Sequence, residues 1–251
     1  MDFTGKRVLV VGTGVSGIAA IRLLAAKGAK PVVLEGNEKA DREQVVSRIP
    51  EGIGYDLIIG NLPEEVMDTL DLAVLSPGVP TDLPFVIKLQ DKKIPVWGEI
   101  ELAYACGSGR LVAITGTNGK TTTTALTGAI LREYYDSVFV VGNIGLPYTE
   151  YALEMKDSSV TVAEVSSFQL ETIHTFQPEV SAILNITPDH LNRHHTMECY
   201  IRTKEAITTN QTNDEVCVLN YEDEVLRAFG ESAPVHVVWF SSARKLAEGF
   251  Y

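Results

Sequence analysis

Two stretches of this chain each join an aliphatic run to a glycine turn and then to a helical pattern. Together they constrain the fold more than any other feature. The first is KRVLVVGTGVSGIAAIRLLAAKGAKPVVLEGN, residues 6–37. Val8 to Val11 form the continuous β-branched and aliphatic run that a parallel strand buried on both faces requires. Gly12, Gly14 and Gly17 supply G-x-G-x-x-G. Ile18, Ile21, Leu24 and Ala25 then recur at helical spacing, with Ala25 small enough to pack closely on a sheet. Gly28 stops this helix, and Val32 to Leu34 form a second strand. Backbone N–H groups bared at Gly14, Val15 and Ser16, at the positive end of a helix, suit a diphosphate. Glu35 closes the second strand, where a dinucleotide enzyme places its ribose-binding acid, with Gly36 beside it. The motif leaves three readings open: NAD, the diphosphate of another nucleotide, or a tight turn without a ligand.

The second stretch is AITGTNGKTTTTA, residues 113–125. Gly119, Lys120 and Thr121 supply the end of the phosphate-loop pattern G-x-x-x-x-G-K-[ST], but Ile114 stands where its first glycine belongs. The strand LVAIT precedes the loop and TTTTALTGAILREYY continues it as a helix, so Ile114 falls inside the strand. The loop is therefore shorter rather than damaged. Gly116, Asn118 and Gly119 bare N–H groups, Lys120 reaches β- and γ-phosphates, and Thr121 holds Mg²⁺; Thr117 and Thr122 complete the set. A dehydrogenase needs one phosphate loop. An ATP enzyme acting on a nucleotide-linked substrate needs two.

The 251 residues are 45% apolar, enough for two cores, and the charge of 21 − 33 = −12 excludes nucleic acid and anionic membranes as partners. Cys106, Cys199 and Cys217 are far apart and read as reduced thiols. The opening MDFTGKRVLVVG runs straight into a strand, so neither a signal peptide nor a membrane span is expected, and the cytoplasm is the expected compartment. The predicted fold class is α/β, a Rossmann-like domain over 1–105 followed by a partial P-loop-type mononucleotide-binding domain over 106–251, with the boundary in ACGSGR.

Ser76-Pro77-Gly78 lies past the strand Leu72–Leu75, either at a ligand or as an ordinary turn. Glu164 sits near the carboxyl end of a strand over Val160 to Val165, as a Mg²⁺ ligand or a buried acid satisfied by backbone groups. Asp189 and His190 follow a strand over Val180 to Ile186; His174, His194, His195 and His236 read as surface or loop residues. Lys204, on a helix through MECYIRTKEAI, reads as a solvated charge.

TGTNGKT, GNIG (142–145), EVSSFQLE (164–171) and NITPDHLNRH (185–194), with GTGVSG and SPG, resemble the Mur ligase family over the whole chain. SSFQLE and the first glycine loop resemble its D-glutamate-adding branch. The resemblance implies an ATP-dependent amide ligase of cytoplasmic peptidoglycan precursor synthesis, acting as a monomer on UDP-N-acetylmuramoyl-L-alanine, ATP and D-glutamate through an acyl phosphate. It implies that Gly14, Val15, Ser16, Glu35, Gly36, Ser76 and Gly78 hold the UDP part, and that Asn143, Ser166 and Gln169 hold the muramoyl-alanine part. It makes Lys120, His190 and Lys204 catalytic. Thr121 and Glu164 would ligate one Mg²⁺; His190 and Lys204, carbamylated by CO₂, would ligate a second. Asn192 departs from the family's usual Asp. The family pattern continues beyond Tyr251 into a C-terminal amino-acid-binding domain, so the chain is expected to bind acceptor but ligate weakly or not at all. A NAD-dependent oxidoreductase and a non-catalytic nucleotide-binding module are the alternatives.

Overall fold

The computed structural model describes residues 1–251, which form two compact units. The first holds β1 (Arg7–Val11), β2 (Lys30–Glu35), β3 (Asp56–Ile59), β4 (Leu72–Leu75) and β5 (Val96–Gly98) in the order β3-β2-β1-β4-β5. The second holds β6 (Arg110–Thr115), β7 (Val138–Gly142), β8 (Val160–Glu164), β9 (Val180–Ile183), β10 (Val216–Asn220) and β11 (His236–Phe240) in the order β11-β10-β9-β6-β8-β7. Every pairing is parallel. No helix is long and apolar enough to cross a membrane.

β1 lies between β2 and β4, and β6 between β8 and β9, so each glycine turn leaves a central strand at the point where strand order reverses. In the first unit the helix Val15–Ala26 buries Ile18, Ile21 and Leu24, as their spacing predicts. The small buried residues are Gly17, Ala19 and Ala20, whereas Ala25, in the last turn, is only half-buried. Gly17 is required sterically: a methyl group there would come within 1.9 Å of the Gly12 carbonyl oxygen.

Several boundaries differ from the sequence expectations. The first unit runs through Gly107 rather than ending at 105, and it also takes in Leu146–Glu154 and Glu171–His174. Two buried acids explain the added segments. The Glu99 carboxylate, 1% exposed, accepts from the Thr149 backbone N–H at 2.7 Å and its hydroxyl at 2.8 Å. Glu101 accepts from the His174 backbone N–H at 2.8 Å. A His174 ring nitrogen also lies 2.8 Å from the Val96 carbonyl oxygen.

β8 ends at Glu164 rather than Val165, and β9 ends at Ile183 rather than Ile186. After β9 the chain turns aside because Asn185 is committed to the phosphate loop: it accepts from Asn118 N–H at 2.8 Å and donates to Asn118 O at 3.0 Å. The helix after that loop spans Lys120–Leu131, and SFQL forms a single turn, Ser167–Leu170. Cys106 and Cys217 are buried free thiols, and burial pushes Cys217 up to about 11.

Truncating Glu99 leaves a buried N–H and a buried hydroxyl without their acceptor. Glu99→Ala is expected to destabilise the chain by about 2–3 kcal/mol. A urea midpoint equal to that of the unsubstituted chain would show that this acid does not anchor 146–154.

Candidate functional site

The second unit gathers its polar side chains at the carboxyl ends of β6, β8 and β9. The helix Lys120–Leu131 has no side-chain cap; its N-cap is Gly119 at φ +83°, a left-handed conformation that an L side chain resists. The loop is braced from one side. Thr117 N–H donates to Asn185 O at 2.9 Å. The Thr117 hydroxyl donates to Thr187 O at 3.1 Å, accepts from Thr187 N–H at 3.0 Å, and lies 3.1 Å from the Tyr200 hydroxyl. Lys120 folds back onto the loop, donating to Gly116 O at 2.9 Å and Thr117 O at 2.8 Å.

Glu164 is buried at the tip of β8. The Thr121 hydroxyl donates to one of its oxygens at 2.8 Å and the Asn143 amide to the other, also at 2.8 Å. Side chains, rather than backbone groups, thus satisfy this carboxylate. Both donors are neutral, so the carboxylate charge is left uncompensated by any ion pair. No three His, Cys, Asp or Glu side chains gather to hold a metal by themselves. One hydroxyl and one carboxylate fit Mg²⁺, which completes its shell with water and phosphate oxygens. Asn118, Thr121 and Thr122 are exposed. Gln169 is buried, and its side-chain oxygen accepts from the Ser166 N–H at 2.9 Å and hydroxyl at 3.0 Å, so the two residues brace their own turn.

Lys204 overturns the solvated expectation. It is 1% exposed and donates to Gly116 O at 2.8 Å, the carbonyl that Lys120 also uses, with Thr115 Oγ1 at 3.4 Å. Its ammonium lies 4.8 Å from the centre of the Tyr200 ring. Burial, and next the Lys120 charge, lower its pKa from 10.5 to about 7, with Asp189 acting in the opposite sense. Tyr200 and Lys204, four apart, form the buried face of the helix Met197–Glu205; that spacing was the available sequence signal.

His190 is exposed at φ +52°, with Nε2 3.4 Å from an Asp189 oxygen. His194 is the second correction. It is buried, stacks on Phe168 at 5.6 Å, approaches the Tyr200 ring at 5.2 Å, and has Nε2 2.9 Å from the Ser167 hydroxyl. His174, His195 and His236 are exposed, as expected.

In the first unit, the turn after β1 meets the turn after β4. The Ser76 N–H donates to Val11 O at 3.1 Å, and the Ser76 hydroxyl is buried without a hydrogen-bond partner. That hydroxyl lies where a methyl group on Gly12 would come within 2.9 Å. Gly14 and Val15 are exposed, and Ser16 is half-buried. Glu35 accepts from the Thr13 hydroxyl at 2.5 Å and from Asn37 N–H at 3.1 Å. A cleft of about 660 Å³ opens beside it, lined also by Gly36 and Gly78.

Two parallel α/β units, each with a glycine turn at a strand-order reversal and one with a lysine and a threonine starting the following helix, have the architecture of the doubly wound folds that bind nucleotides. Residues 6–98 match the family described as Mur ligase MurD-like, N-terminal domain, and residues 114–249 match the Mur ligase middle domain; the chain belongs to the Mur ligases. It is 55% identical to the UDP-N-acetylmuramoylalanine--D-glutamate ligase of Lachnoclostridium phytofermentans, over 100% of this chain and 55% of that protein. The chain thus spans about half the length of the relatives it matches.

Among solved structures it is similar to the UDP-N-acetylmuramate:L-alanyl-gamma-D-glutamyl-meso-diaminopimelate ligase of Neisseria meningitides. The TM-score is 0.62 at 14% identity, over 98% of this chain and 83% of that one. It is also similar to the MurF ligase of Thermotoga maritima in complex with ADP, with TM-score 0.50 and 20% identity over 97% and 49% of the two chains.

The Lys204 shift sets a pH dependence. The folded amine loses its proton near 7, whereas the unfolded one keeps it to about 10.5. Between those values the folded state binds fewer protons, so rising pH stabilises it. Relative to Lys204→Met, the unsubstituted chain is expected to gain stability from pH 7 to 10. Parallel stability curves for the two proteins over that range would refute the buried, depressed amine.

Proposed function

We propose that this chain carries the acceptor-binding and ATP-binding parts of an amide ligase that joins D-glutamate to UDP-N-acetylmuramoyl-L-alanine. The observation that carries the proposal is the Lys120–Thr121–Glu164 arrangement at the end of β6, in a chain that has a second glycine turn on a separate parallel sheet. A ligase that activates a nucleotide-linked acid with ATP needs both.

In the first unit the N-terminus of helix Val15–Ala26 takes the diphosphate. The unpartnered Ser76 hydroxyl supplies a donor beside it, and Glu35 takes the sugar hydroxyls of the uridine. In the second unit the loop 116–119 wraps the ATP phosphates. Lys120 exchanges the loop carbonyls for phosphate oxygens, placing its charge where the transferred phosphoryl group develops charge. Thr121 and Glu164 would hold Mg²⁺, which when bound would neutralise charge on the phosphates. The acceptor carboxylate takes the γ-phosphoryl group of ATP and releases ADP. The amine of D-glutamate then attacks the acyl carbon, phosphate leaves, and an amide forms.

Asn143 holds Glu164 in place while contacting the muramoyl-alanine part, and Ser166 and Gln169 shape the neighbouring turn. His190 is the candidate ligand of a second cation. Lys204, with its proton weakly held, is the candidate for carbamylation by CO₂, since only the neutral amine attacks. The ADP complex of the similar Thermotoga maritima ligase supports the nucleotide assignment. Such a ligase works on precursors in the cytoplasm.

Calorimetry of this chain with ADP and Mg²⁺ tests the second unit. Binding is expected, with a loss of about tenfold or more in Lys120→Ala, because a charge-assisted phosphate contact disappears. Equal affinity in the variant would remove Lys120 from the phosphate site. Binding of NADH in place of UDP-N-acetylmuramoyl-L-alanine would instead make the first unit a nicotinamide site.

A further inference from the structure

We infer that His194 is a positioning residue: it holds a strained turn that sets Tyr200 against the phosphate loop, and so keeps that loop formed for phosphate. The inference rests on the proposal that this loop takes the phosphates of ATP. His190 and His195 bracket the single helical turn Leu191–His194, at φ +52° and +64°. They are two of the three non-glycine residues in the chain at positive φ, the third being Lys93. At His195 ψ is −44°, and Thr196 N–H donates to His194 O at 2.7 Å, two residues back. This is the γ-turn of the strained hand, which a side chain at its centre resists. Such strain persists only where the surroundings hold it.

The holding contacts converge on His194, the one buried residue between Leu191 and Thr196. Its Nε2 lies 2.9 Å from the hydroxyl of Ser167, itself 2% exposed, and its ring packs on Phe168 and Tyr200. Ser167 stands just past the end of β8, so this contact fastens the turn to the strand that carries Glu164. The γ-turn then delivers Thr196 as the N-cap of the helix Met197–Glu205, its hydroxyl accepting from Cys199 N–H at 3.1 Å. Tyr200, 1% exposed, follows one helical turn on. The Thr117 hydroxyl gives its proton to Thr187 O, so the Tyr200 hydroxyl, 3.1 Å away, donates to it. A line of side chains thus runs from Ser167 through His194 and Tyr200 to Thr117, and ends on the loop 116–119. A loop already held in its binding form bears no ordering cost when phosphate arrives.

Amide hydrogen exchange without ligand reads this brace directly. Thr117 and Asn118 N–H donate to Asn185, at 2.9 and 2.8 Å. Both are expected to exchange about tenfold faster in His194→Ala, because the loop opens more often. Tyr200→Phe is expected to do the same, and combining the two to add nothing, since they act through one contact. Glycine takes positive φ without strain, so adding His195→Gly to His194→Ala is expected to restore most of the protection. Affinity for ADP with Mg²⁺, read by calorimetry, is expected to fall about tenfold in His194→Ala and to recover in that double variant. If circular dichroism shows His194→Ala unfolded, Ser167→Ala removes the same hydrogen bond and leaves the ring, with an expected rise in exchange of about threefold. A role in stability alone would lower the urea midpoint and leave loop exchange and ADP affinity unchanged.

Unchanged exchange at Thr117 and Asn118 in whichever variant folds overturns the inference while leaving the ATP reading standing. Additive effects of His194→Ala and Tyr200→Phe, or no recovery with His195→Gly, overturn it too. Failure of the unsubstituted chain to bind ADP overturns the ATP reading instead, and the exchange rates, taken without ligand, still decide the brace.

Discussion

A strand paired in parallel on both edges and covered on both faces has one place left for chemistry, its carboxyl end. β1 and β6 are such strands, and each is followed by a glycine turn. Candidate site side chains from neighbouring strand ends are recruited towards those two ends. Ser76 comes from just past the end of β4 and Glu35 from the end of β2. Glu164 comes from the end of β8, and Asn185 from just past β9. The crossover connections of a parallel sheet deliver residues from distant sequence to one edge, and this lets acid, amide and hydroxyl groups converge on a phosphate loop that contains few of them.

The carbonyl of Gly116 shows how tightly the second site is drawn together. Two ammonium groups, Lys120 and Lys204, donate to it. In water neither would perturb the other, but under the Tyr200 ring, with Lys204 sealed from solvent, their repulsion adds to the cost of desolvation. Lys120 sits at the open helix start, whereas Lys204 is enclosed, and it is burial first and the Lys120 charge second that lower the Lys204 pKa. Tyr200 joins the two, since its ring lies under Lys204 while its hydroxyl touches Thr117 of the loop.

The two buried acids of the first unit act structurally. Glu99 and Glu101 are one helical turn or less apart and face backbone N–H groups of segments that come much later in the chain. They make the first unit discontinuous in sequence. A boundary read from a flexible ACGSGR stretch locates the main crossing closely, at Gly107, but not the two returns.

The sequence by itself determined the strands that lead into both glycine turns, the turns themselves and the helices that follow them. These depend on neighbours within a few residues: a β-branched run, a glycine where Cβ would strike a carbonyl, a lysine and a threonine at a helix start. It also placed Glu164 and Ser76 near strand ends. Tertiary structure decided what those groups touch. The burial of Lys204 depends on Gly116, 88 positions away, and Glu164 meets Thr121 across 43 positions. His194, read as a surface residue, is enclosed by Phe168 and Tyr200. A side chain's charge state and hydrogen-bonding sense follow from solvent exclusion and from partners brought by crossovers, and neither is written in local spacing.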